Sequence, residues 1–495
     1  MNLFKKCFQT KIRFYLIGII FILFLGSLFY STLKTDDDFI GEQVYWLNKT
    51  DHVKSELMRG YNNIGIEQYQ SVFHKLFIYQ GAFFSKIFGW SLQVLHLTTI
   101  FFASIFFCIL WLFLKEKQNH FDTGTFLLVT CIMFCFNPFA EYLVSFRPEI
   151  MLMTLGFISY FFIDKYFNQQ KIIYAILSGL FAGAAFLTHL NGLIFLIGGF
   201  LILLYRKNYK VSIVFGIAGS LVFSLYFLDI LQNSTISYFL YQFRHDPSLS
   251  EENFLWKTPF IRLFEEHLRF FHSPAELVLM LPLFLSLFFV KDLRKTENNI
   301  LVYTLILLVS FALLTYSKTT KYIIIYLPFL AIIIANGWQE IENKAKSMRF
   351  KWFFRISLGL LFCWGIAFSA SQILIAATQP KIQITNNNIA KYIKEDHSRI
   401  NVLAPTSFIF NEIKSFNRIM TLNRFSFFID THNIPKMNFS QLIDSAHFYQ
   451  INYIILDREN ANYFNVTQDM KLNDKRYSFA SLKLEKTILL KMNYE

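Results

Sequence analysis

The stretch LQVLHLTTIFFASIFFCILWLFL, residues 92–114, decides the class of this chain. It is long enough to cross the hydrocarbon core of a bilayer, which takes about 20 mostly apolar helical residues. Similar runs recur along the chain as far as residue 376. Of the 495 residues 54% are hydrophobic and only 16% are charged, too few polar residues to cover a water-soluble globule of this size. The sequence therefore predicts a polytopic membrane protein.

The apolar runs number about eleven, and each is a candidate membrane helix. The first shows no small-residue cleavage site, so it is expected to be a retained anchor and not a signal peptide. The runs lie at 13–33, 92–114, 124–141, 148–164, 172–188, 190–205, 211–231, 275–291, 299–316, 321–337 and 353–376.

Lys and Arg residues lie mostly in the short turns between these runs. The net charge of +13 is therefore interpreted as the positive-inside pattern of a membrane protein, and no nucleic-acid partner is expected. This pattern puts the N-terminus in the cytoplasm. The abundant Lys, Ile and Asn are typical of an AT-rich bacterial genome, so the chain is expected to be a multi-pass protein of a bacterial inner membrane. Two long segments, 34–91 and 232–274, would then lie on the outer side together with everything after residue 378.

The chain changes character after residue 378 and becomes polar and charged. Helix-like stretches alternate there with strand-like runs, which favours a small α/β domain. The predicted fold is an all-α polytopic membrane domain at 1–378 followed by a small C-terminal α/β extracytoplasmic domain at 379–495. The helix-like and strand-like stretches lie at 388–396, 400–404, 440–449 and 453–456.

Three adjacent acids, Asp36, Asp37 and Asp38, follow the first apolar run. Adjacent carboxylates repel one another, which favours accepting a proton or binding a cation. The alternative is a solvated acidic cap at the end of a membrane helix. Asp36 and Asp38 also form an Asp-x-Asp pair that could hold Mg²⁺ or Mn²⁺ through oxygen ligands. The following residues, 41–47, mix aromatic and polar side chains and predict a helix lying along the membrane interface.

Several cations and their neighbours also collect on the predicted outer side, and they are candidates for binding a substrate's phosphate. Each has a simpler alternative: a side chain that reaches the interface for His74 and Lys75, an ion pair of Arg147 with Glu149 or Glu141, a helix-end cap for His189, and a plain surface turn for Lys318. Their shared sidedness favours one site. The candidate substrate-binding residues are His74, Lys75, Arg147, Glu149, His189, Lys318, Lys321 and Tyr322.

The order of these motifs over roughly the first 340 residues resembles the GT-C superfamily of membrane glycosyltransferases, nearest to its protein O-mannosyltransferase and lipid A aminoarabinose transferase branch. The resemblance rests on the acids after the first run, the His-containing aromatic segment leading into KIFGWSLQVLHL, the Arg-Pro-acid triplet at 147–149, FLTHLNGLIFL and SKTTKYIIIYLPFLAI. It implies that Asp36 or Asp37 is the catalytic acid and that Lys75 and Arg147 lie near the donor phosphate. The chain departs from the family where Lys75 and Leu76 follow His74, since relatives commonly carry two prolines after that position.

The resemblance implies a hexosyl- or pentosyltransferase. A polyprenyl-phosphate sugar would be the donor, held among membrane lipids, and the acceptor would be a hydroxyl or phosphate on a glycolipid, a glycan or a protein of the cell envelope. An aspartate would act as general base and cations would stabilise the departing phosphate. The alternatives are a transporter or flippase of a lipid-linked anion and a glycan polymerase or ligase. The sequence specifies neither the sugar nor the acceptor.

Overall fold

A computed structural model describes most of the chain. The described residues are 37–55, 65–66, 68–117, 123–245, 258–289, 298–315, 318–344, 348–378, 382–422, 438–466, 477–480 and 487–494. The predicted anchor at 13–33 and Asp36 lie outside these ranges.

Helices dominate the described residues up to 392, as expected where lipid offers no partner for free backbone N–H and C=O groups. In chain order they are α1 Asp37–Thr50, α2 Lys75–Phe88, α3 Leu92–Lys117, α4 Thr123–Cys135, α5 Asn137–Leu143, α6 Glu149–Gln169, α7 Ile172–Thr188, α8 Leu193–Tyr205 and α9 Tyr209–Ser224. They continue with α10 Leu228–Asn233, α11 Ile236–Arg244, α12 Thr258–Glu265, α13 His267–Phe270, α14 Pro274–Phe289, α15 Asn299–Leu314, α16 Leu327–Lys344, α17 Met348–Thr378 and α18 Ile382–Tyr392. Short 3-10 segments cover Leu190–Gly192, Leu225–Phe227 and Thr320–Ile325.

The described residues of every predicted apolar run after the first lie mainly in helix. Among the described residues, four helical segments are long and apolar enough to cross a membrane, and up to six if each sharply bent pair counts as one span. The bends measure 87° between α4 and α5 and 99° between α12–α13 and α14. The predicted count of about eleven spans is therefore not confirmed, since helices such as α7, α8 and α15 are apolar but short.

Helix α6 runs through the middle of the bundle and separates two polar ends. Its spanning window is 83% buried, and it packs against α3 and α7. At one end Asp164 pairs with Lys117, and Lys165 pairs with Glu116. At the other end lies Glu149, about 23 Å from Asp164 along the helix at 1.5 Å per residue. The candidate residues described below belong to the Glu149 end.

The C-terminal part contains a five-stranded sheet in the order β2-β1-β3-β5-β4. Strands β1 and β3 pair in parallel, as do β1 and β2, whereas β5 runs antiparallel to β3 and β4. The prediction of a mostly helical region followed by a small unit with a sheet is confirmed in the described residues. The strands are β1 Asn401–Ala404, β2 Arg418–Thr421, β3 Tyr453–Leu456, β4 Tyr477–Ala480 and β5 Ile488–Met492, and the helices between them are α19 Ile409–Glu412, α20 Phe439–Phe448 and α21 Arg458–Tyr463.

The segment after β1 packs on helix α1. The Tyr45 hydroxyl donates to the carbonyl oxygen of Ile413 at 3.3 Å, and the rings of Trp90 and Phe410 stack with centroids 6.1 Å apart. A Cβ added to Gly41 would lie 2.9 Å from Leu95, which would have to shift, and at an ordinary contact distance of 3.5 Å from Phe410. The C-terminal part therefore touches the helix that carries Asp37 and Asp38.

Candidate functional site

Helix α1 begins at Asp37, and the carboxylate of this residue is completely buried. Its Oδ1 accepts a hydrogen bond of 2.6 Å from the backbone N–H of Phe146. Its Oδ2 lies 2.8 Å from Nε2 of His96 on α3. Asp37 therefore connects three separate segments: α1, α3 and the turn that precedes α6.

The other two acids of the triplet, Asp36 and Asp38, flank Asp37 in the sequence. Asp38 is partly exposed, and its Oδ1 accepts from the backbone N–H of Phe39 at 2.9 Å. Asp36 lies outside the described residues. Of the two described acids of the triplet, Asp38 is therefore the more exposed one.

Arg147 follows Phe146 and forms a buried ion pair with Glu149. The guanidinium donates from Nη2 to Oε1 at 2.9 Å and from Nε to Oε2 at 3.2 Å, while its carbon lies 4.8 Å from the centre of the Tyr142 ring. Arg147 is 5% exposed and Glu149 is fully buried. Glu149 is therefore a partner of Arg147, in the two-pronged geometry that guanidinium and carboxylate groups favour.

A row of rings lies beside this pair. His74 and His189 stack with centroids 4.6 Å apart and planes 18° from parallel, and His189 meets Tyr322 edge-on at 5.9 Å. His189 also caps the start of the 3-10 segment Leu190–Gly192, because its Nδ1 accepts from the N–H of Asn191 at 3.0 Å. Lys321 and His189 both interact electrostatically with Glu149. Segments far apart in sequence thus meet at one place.

A second buried ionic group lies on the far side of Tyr322. The fully buried Arg269 donates from Nε to Glu266 at 2.7 Å and from Nη1 to the Thr319 carbonyl at 2.6 Å. Its guanidinium carbon is 5.7 Å from the centre of the Tyr322 ring. Lys318 donates to the same Glu266 at 2.9 Å, and burial lowers the pKa of Lys318 against the opposing effect of this bond. Two predicted residues, Lys318 and Tyr322, are therefore joined to a pair that sequence reasoning missed.

Lys75 is turned to a different partner. Its ammonium group pairs with Asp229 at the start of α10 and donates to the Tyr226 carbonyl at 2.6 Å. The Tyr69 hydroxyl also donates to Asp229, at 3.1 Å. Burial lowers the pKa of Lys75, opposed by the hydrogen bond to Asp229. The structure thus places Lys75 on Asp229 while its neighbour His74 stacks on His189.

His96, Asp229, Glu266 and Arg269 were not among the sequence-predicted site residues. A signal exists for some of them. His96 interrupts an otherwise apolar membrane run, and such residues are expensive in lipid and usually have a partner. Arg262, Glu266 and Arg269 share one helical face inside the predicted outer segment 232–274, opposite exposed apolar residues such as Phe264.

The predicted metal pair consists of Asp36 and Asp38, and Asp36 is outside the described ranges. Within those ranges, no group of three or more His, Cys, Asp or Glu side chains is placed to hold a metal ion. The Arg147, Lys318 and Lys321 side chains make this end of the bundle suited to an anion, and the acids of α1 suit it to a hydroxyl or a cation.

Comparison with known proteins places the fold. No protein-family profile and no curated protein matches the sequence. ArnT from Cupriavidus metallidurans, solved bound to undecaprenyl phosphate, is 10% identical, with a TM-score of 0.59 over 96% of this chain and 97% of that chain. The Archaeoglobus fulgidus oligosaccharyltransferase, in its apo form, is 12% identical, with a TM-score of 0.56 over 94% and 73%. Another structure of that enzyme, solved with zinc and sulfate, is 14% identical, with a TM-score of 0.53 over 95% and 72%.

At these identities the likeness is one of fold, and both neighbours are GT-C superfamily glycosyltransferases. The long apolar helices indicate that the chain crosses the membrane several times. The chain is a multi-pass membrane protein with the fold of the GT-C glycosyltransferases.

Proposed function

We propose that this chain is a glycosyltransferase that moves a sugar from a polyprenyl phosphate to an acceptor hydroxyl or phosphate on the outer face of the membrane. The similar fold of ArnT from Cupriavidus metallidurans, solved with undecaprenyl phosphate, supports a lipid phosphate as the donor's carrier. The sugar and the acceptor, whether a glycolipid, a glycan or a protein, are left open.

One observation carries the proposal: the hydrogen bond from the Phe146 N–H to Asp37 joins the helix that begins with two acids of the triplet to the turn that carries Arg147. A transferase of this kind needs a base at the attacking oxygen and positive charge at the departing phosphate. The acids on α1 supply the first requirement. Arg147 and Lys321 supply the second, because both stand around Glu149 at the same end of the bundle.

In the proposed step, the acceptor oxygen forms a bond to the anomeric carbon of the sugar. The bond from that carbon to the phosphate oxygen breaks, and the polyprenyl phosphate departs with the electron pair. The acceptor proton passes to a carboxylate of the triplet. Asp36 and Asp38 are the proposed bases, since both oxygens of Asp37 are already hydrogen-bonded in a buried place.

The remaining predicted residues take binding roles in this proposal. Lys321 and Arg147 would contact the donor phosphate, while His74, His189 and Tyr322 would line the space next to it. Glu149 would hold the Arg147 guanidinium, and Lys318 would act through Glu266. Lys75 would take part by exchanging its Asp229 partner for the lipid phosphate.

The proposed setting is the inner membrane of a bacterium. The N-terminus would be cytoplasmic, the site would face outward, and residues 379–495 would form a separate extracytoplasmic domain. The two polar ends of α6 fit this arrangement, because Lys117 and Lys165 stand at the end proposed to be cytoplasmic.

A divalent metal is an optional part of the proposal. Asp36 and Asp38 would hold Mg²⁺ or Mn²⁺, whose charge would assist the departing phosphate. Rates measured with a chelator and then with each metal restored would decide whether one is needed.

The test is a substitution series in the purified protein. Radiolabelled polyprenyl-phosphate sugars are supplied with a crude envelope extract, and wild type is compared with Asp36→Asn and Asp38→Asn. General-base catalysis contributes about 10²- to 10⁴-fold, so one of the two substitutions should lower transfer by that factor while the protein stays folded.

The matched control is Asp51→Asn, which changes an acid in the exposed turn after α1. It should keep the wild-type rate. Full transfer in both triplet variants, or failure of the wild type to consume any lipid-linked sugar, would contradict the proposal.

A further inference from the structure

The short turn Ser145–Arg147 is held from two sides by polar side chains. On one side Asp37 accepts from the N–H of Phe146 at 2.6 Å. On the other side the Thr99 hydroxyl of α3 donates to the carbonyl of Ser145 at 2.8 Å. Both side chains are completely buried. The single peptide group that joins Ser145 to Phe146 is therefore held at its N–H by α1 and at its C=O by α3.

His96 completes this arrangement one helical turn away from Thr99. Its Nε2 bonds to the second oxygen of Asp37 at 2.8 Å, and the imidazole is 3% exposed. Residues three apart on a helix share a face, so His96 and Thr99 present their polar atoms to the same side of α3. Helix α3 thus touches the acid-bearing end of α1 through His96 and the Arg147 turn through Thr99.

We propose that His96 and Thr99 are positioning residues that hold the acid-bearing end of α1 in register with Arg147. We call His96, Thr99 and Asp37 the α3 clamp. The inference rests on the proposed function, and it assigns Asp37 to support instead of proton transfer. The clamp sets the distance between the group that takes the proton and the cation that meets the phosphate.

The physical reason is the sensitivity of group transfer to geometry. Misplacing a catalytic group by about 1 Å can cost on the order of 10²-fold in rate. The base and Arg147 come from different segments, and neither segment fixes the other through sequence proximity. Both act mainly in the transition state, so loosening the clamp should lower kcat more than it raises KM for the donor.

The experiment compares four variants of the full-length protein in lipid. His96→Ala removes the bond to Asp37 and should lower kcat by about 10- to 100-fold, with KM for the lipid donor changed by less than about threefold. His96→Gln should restore most of the rate, because the Gln amide N–H can donate to the same carboxylate oxygen. Thr99→Val should lower kcat by roughly fivefold, the worth of one lost hydrogen bond.

Thr98→Val is the matched control. Thr98 is the neighbouring residue, equally buried, but its hydroxyl bonds only to the Val94 carbonyl of its own helix. It should keep the wild-type kcat. Equal losses in the Thr98 and Thr99 variants, or no recovery in a folded His96→Gln variant, would overturn the clamp.

A stability measurement separates this inference from the proposed function. If His96 and Asp37 act as one unit, the double variant with His96→Ala and Asp37→Asn should melt no lower than the more damaged single variant. Fully additive losses would overturn the clamp even in a protein that transfers sugar. A wild type that transfers no sugar would overturn the proposed function, and the melting cycle would still decide whether the clamp exists.

Discussion

Changing Glu149 to Gln should lower the melting temperature of the protein. It should also increase the rise in melting temperature that a lipid phosphate produces. The substitution keeps the shape of the side chain and removes its charge. Arg147 and Glu149 are 5% and 0% exposed, and their closest oxygen and nitrogen atoms are 2.9 Å apart. Without Glu149, Arg147 stays buried near a second cation, Lys321, and loses the carboxylate that faces it.

The size of the effect follows from this geometry. Unit charges 2.9 Å apart attract by about 6 kcal/mol at an effective dielectric constant of about 20. Desolvation offsets part of this attraction, and breaking a buried pair from one side usually costs about 3–5 kcal/mol. An unfolding entropy of about 2.1 cal/mol/K per residue over 495 residues converts that loss to a melting temperature lower by about 3–5 °C.

The assay is thermal unfolding in detergent with and without undecaprenyl phosphate. A phosphate beside Arg147 and Lys321 would replace the missing carboxylate, so the ligand should raise the melting temperature more in Glu149→Gln than in wild type. Glu141→Gln, a change at a partly exposed acid on α5, is the control and should behave as wild type. An unchanged melting temperature, or a ligand response no larger than that of wild type, would refute the reasoning.

Two further predictions concern ion pairs away from Arg147. Lys491 and Tyr453 hydrogen-bond Glu395 and lower its pKa to about 2, so this carboxylate stabilises the fold above its ordinary pKa near 4.5, and the contribution is lost as pH falls from there toward 2. Unfolding measured across that window should depend on pH more steeply in wild type than in Glu395→Gln, and equal slopes would contradict the assignment. For the buried pair on α2 and α10, Asp229→Asn alone should lower the melting temperature more than Lys75→Met combined with Asp229→Leu, because the single change leaves a buried amine without its carboxylate. A double variant as unstable as the single one would contradict this account.

Much of the fold could be predicted from hydropathy alone. The run at 92–114 became α3, and the strand-like stretches at 400–404 and 453–456 became β1 and β3 with ends shifted by a single residue at most. Apolar runs form helices in lipid because no other open structure satisfies their backbone hydrogen bonds. Helix-like stretches that alternate with strand-like runs are typical of an α/β unit with a small sheet. The number of membrane spans is harder to predict, because short helices such as α7 and a bent pair such as α4–α5 are as apolar as full-length spans.

The partners of the polar residues could not be predicted in the same way. Sequence patterns group residues by local spacing, whereas Lys75 meets Asp229 and Asp37 meets His96 across long stretches of chain. The sequence predicts that Arg147, His189 and Lys321 share one side of the membrane, and all three interact with Glu149 in the structure. That this side faces outward stays a prediction. The sequence pattern does not indicate Arg269, because it assigns the segment 232–274 to the outer side of the membrane without predicting site residues in it.

The central claim is that the sugar leaves its lipid phosphate in this site, and product stoichiometry tests that claim most directly. Purified protein in vesicles is given a doubly labelled polyprenyl-phosphate sugar and the envelope extract, and both labels are followed. We predict one free polyprenyl phosphate for each sugar found on the acceptor, with Asp36→Asn or Asp38→Asn reducing both products together. A lipid-linked sugar that crosses the bilayer intact, with no free polyprenyl phosphate released, would contradict the account and indicate a flippase.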